Sequence, residues 1–253
     1  MTTVGEPVRL MAMNPGPMTG PGNNTWFLDG AEPTLIDAGV GHPEHVEELA
    51  RALGGRPLAR VLVTHGHSDH SGGVPALRAR WPDVEVGAFT FDDRTGHRQL
   101  NDGDVVRAGD AELGVLHTPG HAEDHICLFE PASRALYTGD MVLAGSTVVI
   151  PASRGGDLRA YLLALERLAA LKPSRIYPGH GDVIDDPVEL IRAYLTHRRR
   201  REQQISRYLT EGLTTAEEIA ARLYPNLPDA LRAAARETVE AHLRKLRDDG
   251  RLG

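Results

Sequence analysis

Between residues 60 and 70 the chain reads Arg60-Val-Leu-Val-Thr-His-Gly-His-Ser-Asp-His70, an apolar stretch that ends in four metal-competent side chains. His65, His67 and Asp69 alternate along the exit from that stretch, and His70 turns into the next element. Four ligands within six residues cannot all reach one tetrahedral ion without strain, so the spacing points to two neighbouring ions. Three more candidates each follow an apolar stretch and a small turn residue: His121 in Thr118-Pro-Gly-His121, Asp140 in Tyr137-Thr-Gly-Asp140, and His180 in Tyr177-Pro-Gly-His-Gly181. A lone buried histidine is ordinarily a satisfied core residue. Seven ligand-type side chains repeating the order strand, turn residue, ligand are not explained that way. Mixed imidazole and carboxylate donors suit zinc and also admit iron or manganese.

Such ligands need rigid supports, and the apolar pattern supplies them. Strands are expected at Asn24 to Leu28, Thr34 to Ile36, Arg60 to Val63, Val84 to Gly87, Leu113 to His117, Ile126 to Phe129, Ala135 to Tyr137 and Arg175 to Tyr177. Helical spacing occupies Pro43 to Leu53, Val74 to Arg80 and Leu158 to Leu171. Gly72 and Gly73 let the backbone after the ligand cluster pack closely. From Asp186 the character changes to three helices. The first is capped by Asp186 and runs to Gly212, the second opens with the capping box Thr215/Glu218, and the third runs from Asp229 to Gly250. The division expected is a catalytic domain over residues 1–186 and a helical, winged-helix-like domain over 187–253.

Composition narrows the class. The uncharged run Leu10 to Leu28 is nearly long enough to span a bilayer, but it holds three Pro, three Gly and three Asn, so a loop is expected and no membrane span. No secretory h-region precedes it, and a single cysteine, Cys127, forms no intrachain disulfide; both fit the cytoplasm. Residues 1–188 carry 15 basic against 25 acidic side chains, which makes the large domain a poor collector of polyanions. The last helix interleaves Arg232, Arg236, Arg244, Lys245 and Arg247 with Glu237, Glu240, Asp248 and Asp249, so sequence-specific DNA binding is not expected. In the run from His197, residues 197, 198, 201 and 202 share a helix side with Tyr194, Leu195, Ile205 and Tyr208 while 199, 200 and 203 point away, and Arg198 and Glu202 form an i,i+4 pair. That split favours a network at the domain junction over a substrate clamp.

The motifs His-x-His-x-Asp-His, Thr-Pro-Gly-His, Thr-Gly-Asp and Pro-Gly-His-Gly resemble those of the metallo-β-lactamase superfamily, with spacing similar to its glyoxalase-II-like hydrolases. Asn14-Pro-Gly-Pro-Met-Thr19, Asn24-Thr25, Leu35-Ile-Asp-Ala-Gly39, the His197–Ile205 helix and the C-terminal module are similar to the β-lactamase-like protein 2 family. The resemblance implies a four-layer αβ/βα sandwich carrying two zinc ions. His65, His67 and His121 would hold the first ion and Asp69, His70 and His180 the second, with Asp140 bridging both. A hydroxide shared by the ions would be the nucleophile, with Asp69 orienting it or shuttling its proton. Asp37 is expected to hold a ligand or a loop. His125, in His121-Ala-Glu-Asp-His125, makes either a structural hydrogen bond or a proton-donating contact at the leaving group. Ala122 stands where the family often has Thr.

Flavodiiron relatives carry Glu where this chain retains His67, which argues for hydrolysis over redox chemistry. True β-lactamases lack a bridging Asp equivalent to Asp140. Two activities remain: hydrolysis of a thioester or ester of a small-molecule or carrier-linked acyl group, and single-strand endoribonuclease cleavage. The first is favoured, because no aromatic-basic platform for RNA is evident. A non-catalytic metal-binding module is the reading from another class.

Overall fold

A computed structural model describes residues 5–89, 96–145 and 147–252. In chain order the elements are β1 (Val8–Met11), β2 (Asn24–Leu28), β3 (Thr34–Ile36), α1 (Pro43–Leu53), β4 (Arg60–Leu62), α2 (Ser68–Ser71), α3 (Val74–Arg80), β5 (Glu85–Ala88), β6 (Arg98–Gln99), β7 (Val105–Ala108), β8 (Ala111–His117), β9 (Ile126–Glu130) and β10 (Ala135–Gly139). A 3-10 turn (Ala152–Arg154), α4 (Leu158–Ala170), β11 (Arg175–Pro178), α5 (Pro187–Thr210), α6 (Ala216–Leu223) and α7 (Asp229–Asp248) complete the chain. Contacts divide it into two compact units. The first comprises the described parts of Met1–Thr118, Asp124–Ser146 and Pro173–Asp185, with every strand and α1 to α3. The second comprises Pro119–Glu123, the described part of Thr147–Lys172 and that of Asp186–Gly253, with α4 to α7.

The first unit is a mixed α/β sandwich of two sheets. One sheet has the order β1-β2-β3-β4-β5-β6, antiparallel through β3 and parallel from β3 onward; the other has the order β11-β10-β9-β8-β7. Period-two alternation assigns the faces. Phe27, Leu35, Val61 and Val63 share a cluster with Val46, Leu49 and Leu53 of α1 and Val74 and Leu77 of α3. Trp26, Leu28, Ile36 and Leu62 point the other way, into a core shared with Leu113, Val115, Ile126, Leu128 and Tyr137 of the second sheet. Strands buried on both faces explain why these segments read as continuous apolar runs.

The structure adds strands at β1, β6 and β7 that the pattern does not announce. The stretch Leu10 to Leu28 is a loop only between Met11 and Asn24, because its two ends pair with each other in register, Leu10 opposite Thr25. Asp186 occupies the position before α5, but its side chain makes no cap hydrogen bond.

In the second unit, Ile205 and Tyr208 of α5, Ile219 of α6 and Val239, Leu243 and Leu246 of α7 form a core of their own. The Thr215/Glu218 capping box is present at α6. The expected Arg198–Glu202 pair is not. Glu202 instead takes Lys245 of α7 at 2.9 Å together with Arg251, while Arg198 is drawn inward.

His45 of α1 is fully buried, with Nε2 2.8 Å from Thr25 Oγ1, and burial lowers its pKa to about 4, with a smaller contribution from His42. The unfolded chain therefore binds a proton that the folded one refuses, so stability falls as pH drops from the ordinary histidine value towards that of the folded state. Between pH 7 and pH 5 this group alone removes about 2 kcal/mol. Urea unfolding at the two pH values, in wild type and His45→Leu, measures it. The variant is expected to lose about that much of the pH dependence, and an unchanged dependence contradicts the assignment.

Candidate metal centre

Six candidate ligands of the first unit follow the carboxyl ends of parallel strands, where side chains are anchored at one end and free in direction at the other. His65, His67, Asp69 and His70 follow β4, with His70 on α2; Asp140 follows β10 and His180 follows β11. His70 Nε2 lies 3.5 Å from Asp69 Oδ2 and 3.4 Å from Asp140 Oδ1, and His180 Nε2 lies 3.4 Å and 3.3 Å from the same two oxygens. Ligand atoms about 2.1 Å from a common tetrahedral ion lie about 3.4 Å from one another. Those four separations are thus the spacing of a tetrahedral donor set of two imidazoles and two carboxylates. His70 Nε2 is buried and has no hydrogen-bond partner among the described residues, which suits a nitrogen available to an ion. His65, His70 and Asp140 form a second group with ligand atoms within 4.8 Å of one another. His65 Nε2 and His67 Nδ1 are 2.9 Å apart. The residues fit a divalent metal.

The candidate ligands are held by a surrounding layer of polar contacts. Asp37, which follows β3 with φ of 61°, accepts hydrogen bonds from Thr64 N at 2.8 Å and Thr64 Oγ1 at 2.9 Å. Its other oxygen is 2.7 Å from His70 Nδ1, so the ring donates there and turns Nε2 towards the site. Burial disfavours charge on His70, yet the Asp37 and Asp140 carboxylates outweigh it and raise its pKa well above the ordinary value. Likewise His180 rises to about 9, since Asp140 and Asp69 more than offset its burial. Asp140 is held well below the usual carboxylate range, its burial overcome by His70 and His180. Metal binding at this cluster therefore displaces protons.

Two asparagines clamp the loops. Asn24 Nδ2 donates to Pro178 O at 3.0 Å and Gly181 O at 2.8 Å, on either side of His180, and Asn23 Nδ2 donates to Asp69 O. Gly179 admits the close approach this needs, since a Cβ there would sit 2.7 Å from His70 Cε1 and 2.9 Å from Asp140 Oδ1. Thr64 is a supporting residue with no sequence signal of its own.

His125 is buried beside the ligands, its ring stacked on His65 with centroids 4.9 Å apart. Its Nε2 accepts the Asp140 backbone N–H at 3.2 Å, which leaves Nδ1 to carry the proton towards Thr118 Oγ1 at 3.0 Å. Of the two roles the sequence left open, this is the geometry of the structural one. His121 lies in the short segment Pro119–Glu123, grouped with the second unit, and its Nδ1 is 2.7 Å from Val149 O. Nε2 is therefore its candidate coordinating nitrogen.

Residues 18–180 match the model of the metallo-beta-lactamase superfamily, and residues 215–252 match the beta-lactamase associated winged helix domain. A Caenorhabditis elegans beta-lactamase-like protein 2 homolog is 34% identical, with 96% of this chain and 84% of the relative covered. The atrochrysone carboxyl ACP thioesterase dmxR1 of Cryptosporiopsis sp. (strain 8999) is 31% identical, with 97% and 80% covered. Metallo-beta-lactamase family protein TTHA1429 from Thermus thermophilus superposes with a TM-score of 0.82 at 24% identity, covering 98% of this chain and 95% of that one. TTHA1623, solved in a di-iron-bound form, superposes with a TM-score of 0.57 at 29% identity, covering 72% and 96%.

The chain belongs to the metallo-β-lactamase superfamily, in the group that joins this domain to a β-lactamase-associated winged helix and includes β-lactamase-like protein 2. The fold is that family's α/β sandwich with a helical C-terminal domain. Membership indicates a hydrolase that binds divalent metal, with the His/Asp groups above as candidate ligands. Among the described residues no helix is long and apolar enough to cross a membrane.

Proposed function

We propose that the chain is a dinuclear, zinc-dependent hydrolase of acyl thioesters or esters on a small molecule or carrier, acting in the cytoplasm. The catalytic domain would span residues 1–186 and the helical module 187–253. The observation that carries the proposal is the set of four imidazole–carboxylate separations of 3.3 to 3.5 Å around Asp69, His70, Asp140 and His180. The di-iron form of TTHA1623 and the thioesterase name of dmxR1 support it.

In this reading His65, His67 and His121 would hold one ion and Asp69, His70 and His180 the other, with Asp140 available to both. When bound, the ions supply an activated water at neutral pH and polarise the scissile carbonyl. Asp69, whose carboxyl is kept below its ordinary pKa by His180 and His70 against its burial, stays ionised and orients the attacking water by accepting a hydrogen bond from it. Asp37 keeps Nε2 of His70 facing the site, and His125 fixes the Asp140 backbone. Both nitrogens of His125 being engaged, it offers no proton to a leaving group. A thiolate departs without one, whereas an RNA alkoxide is a poorer leaving group that needs it.

The test is a panel of acyl thioesters and a labelled single-stranded RNA, offered to one zinc-loaded preparation with and without chelator. Chelator-sensitive thioester hydrolysis with intact RNA is expected. RNA cleavage with the thioesters untouched overturns the substrate assignment.

A further inference from the structure

The segment from Val148 to Ser153 is tied at four points by the C-terminal helices. Arg198 Nη2 donates to Val148 O, and Thr238 Oγ1 accepts the Ile150 N–H at 3.2 Å. Arg244 Nη1 donates to Ala152 O at 2.6 Å, and Glu237 Oε2 accepts the Ser153 N–H at 2.7 Å. Between the first two ties stands Val149, whose carbonyl oxygen receives His121 Nδ1 at 2.7 Å. Arg198 is also linked to the His121 loop through Tyr161. Its guanidinium carbon lies 5.2 Å from the Tyr161 ring centroid, and Gly120 packs so tightly on Tyr161 that a Cβ would fall 2.4 Å from Tyr161 Cα. Gly120 O also accepts the Asp157 N–H at 2.8 Å, just before α4 begins.

A buried cation is costly unless hydrogen bonds or a counter-charge offset its desolvation, and Arg198 is only 2% exposed. It meets a carbonyl and an aromatic face, and among the described residues no carboxylate pairs with it. A carbonyl that accepts from a ligand histidine fixes which ring nitrogen carries the proton and how the ring is turned. A carbonyl can do so only if its own peptide is held, and here the peptides on both sides of Val149 are held by side chains from α5 and α7.

We propose that Arg198 and Thr238 are positioning residues for His121. Through the Val148–Ile150 strap they hold His121 with Nδ1 protonated and Nε2 presented for coordination. Helices α5 and α7 thus supply the support of His121 within the second unit. This inference rests on the assignment of His121 as a ligand made above.

The experiment is a zinc titration against a competing chelator, resolving the two ions, on wild type, Thr238→Val, Thr238→Ser and Arg198→Lys. Valine keeps the shape of threonine but cannot accept the Ile150 N–H; serine can. Thermal unfolding followed by circular dichroism identifies variants that have kept the fold, and exchange of the Ile150 amide reports the strap directly. Thr238→Val is expected to weaken one zinc ion by about 10- to 100-fold, the usual effect of losing an outer partner of a ligand, and to leave the other unchanged. Thr238→Ser is expected to restore it. Cobalt substitution is expected to show an altered visible spectrum in Thr238→Val and a wild-type one in Thr238→Ser. Wild-type affinity for both ions in folded Thr238→Val overturns this proposal alone. Wild type that binds no zinc overturns the ligand assignment, and the proposal with it.

Discussion

Asp140→Asn is expected to lower kcat/KM by about 10³-fold or more and to reduce bound metal by about one equivalent, because several kcal/mol of transition-state stabilisation depend on a correctly held pair of metal ions. The side chain of Asn is close in shape to that of Asp, so the loss isolates charge and coordinating ability from packing. Asp140 Oδ1 stands 3.4 Å from His70 Nε2 and 3.3 Å from His180 Nε2, and a neutral amide there is a weak ligand. The backbone N–H to His125 persists in the variant, so the loop keeps its course. Unchanged circular dichroism is expected alongside the lost turnover. A variant retaining both metal and activity would show that Asp140 is not a ligand.

Asp37 carries the second large effect. Its carboxylate is buried and serves Thr64 N, Thr64 Oγ1 and His70 Nδ1 together. Asp37→Ala strands these groups and is expected to cost about 3 to 5 kcal/mol of stability, as when one partner of a buried ionic contact is removed. It also frees His70 to rotate, lowering metal affinity about 10- to 100-fold. Asp37→Asn separates the two effects. Asparagine tolerates the left-handed conformation that residue 37 adopts and can still accept from Thr64, so most stability is expected to return. Its amide cannot hold His70 as a carboxylate does, so metal affinity is expected to stay low. Urea unfolding of the metal-free protein and chelator competition measure the two quantities. Equal recovery of both in Asp37→Asn contradicts the assigned role in orienting His70.

Much of this arrangement was legible in the residues. The candidate ligand positions stand out because each follows an apolar strand, and a strand buried on both faces leaves a long apolar signature, as Val61, Leu62 and Val63 do. Elements that rest on a partner were not legible. The two-residue β6 exists only through its pairing with β5, and β7 alternates exposed and buried residues too briefly to stand out beside its turns. The polar supports were harder still. Thr64 looks like any strand-end threonine until Asp37, 27 residues earlier, closes on it. Glu202 pairs with α7, not with its own helix neighbour Arg198, because a tertiary partner outcompetes an i,i+4 contact of about 0.2 to 0.5 kcal/mol. Which groups the two nitrogens of His125 meet is likewise something that spacing along the chain does not carry.

These side chains are proposed to form a two-metal centre. Metal analysis of the chain after removal of metal and reconstitution with zinc tests it most directly, with protein concentration measured in the same sample. Two equivalents per chain are expected, with the second lost in Asp140→Asn; fewer than one equivalent in the folded wild-type protein contradicts the claim.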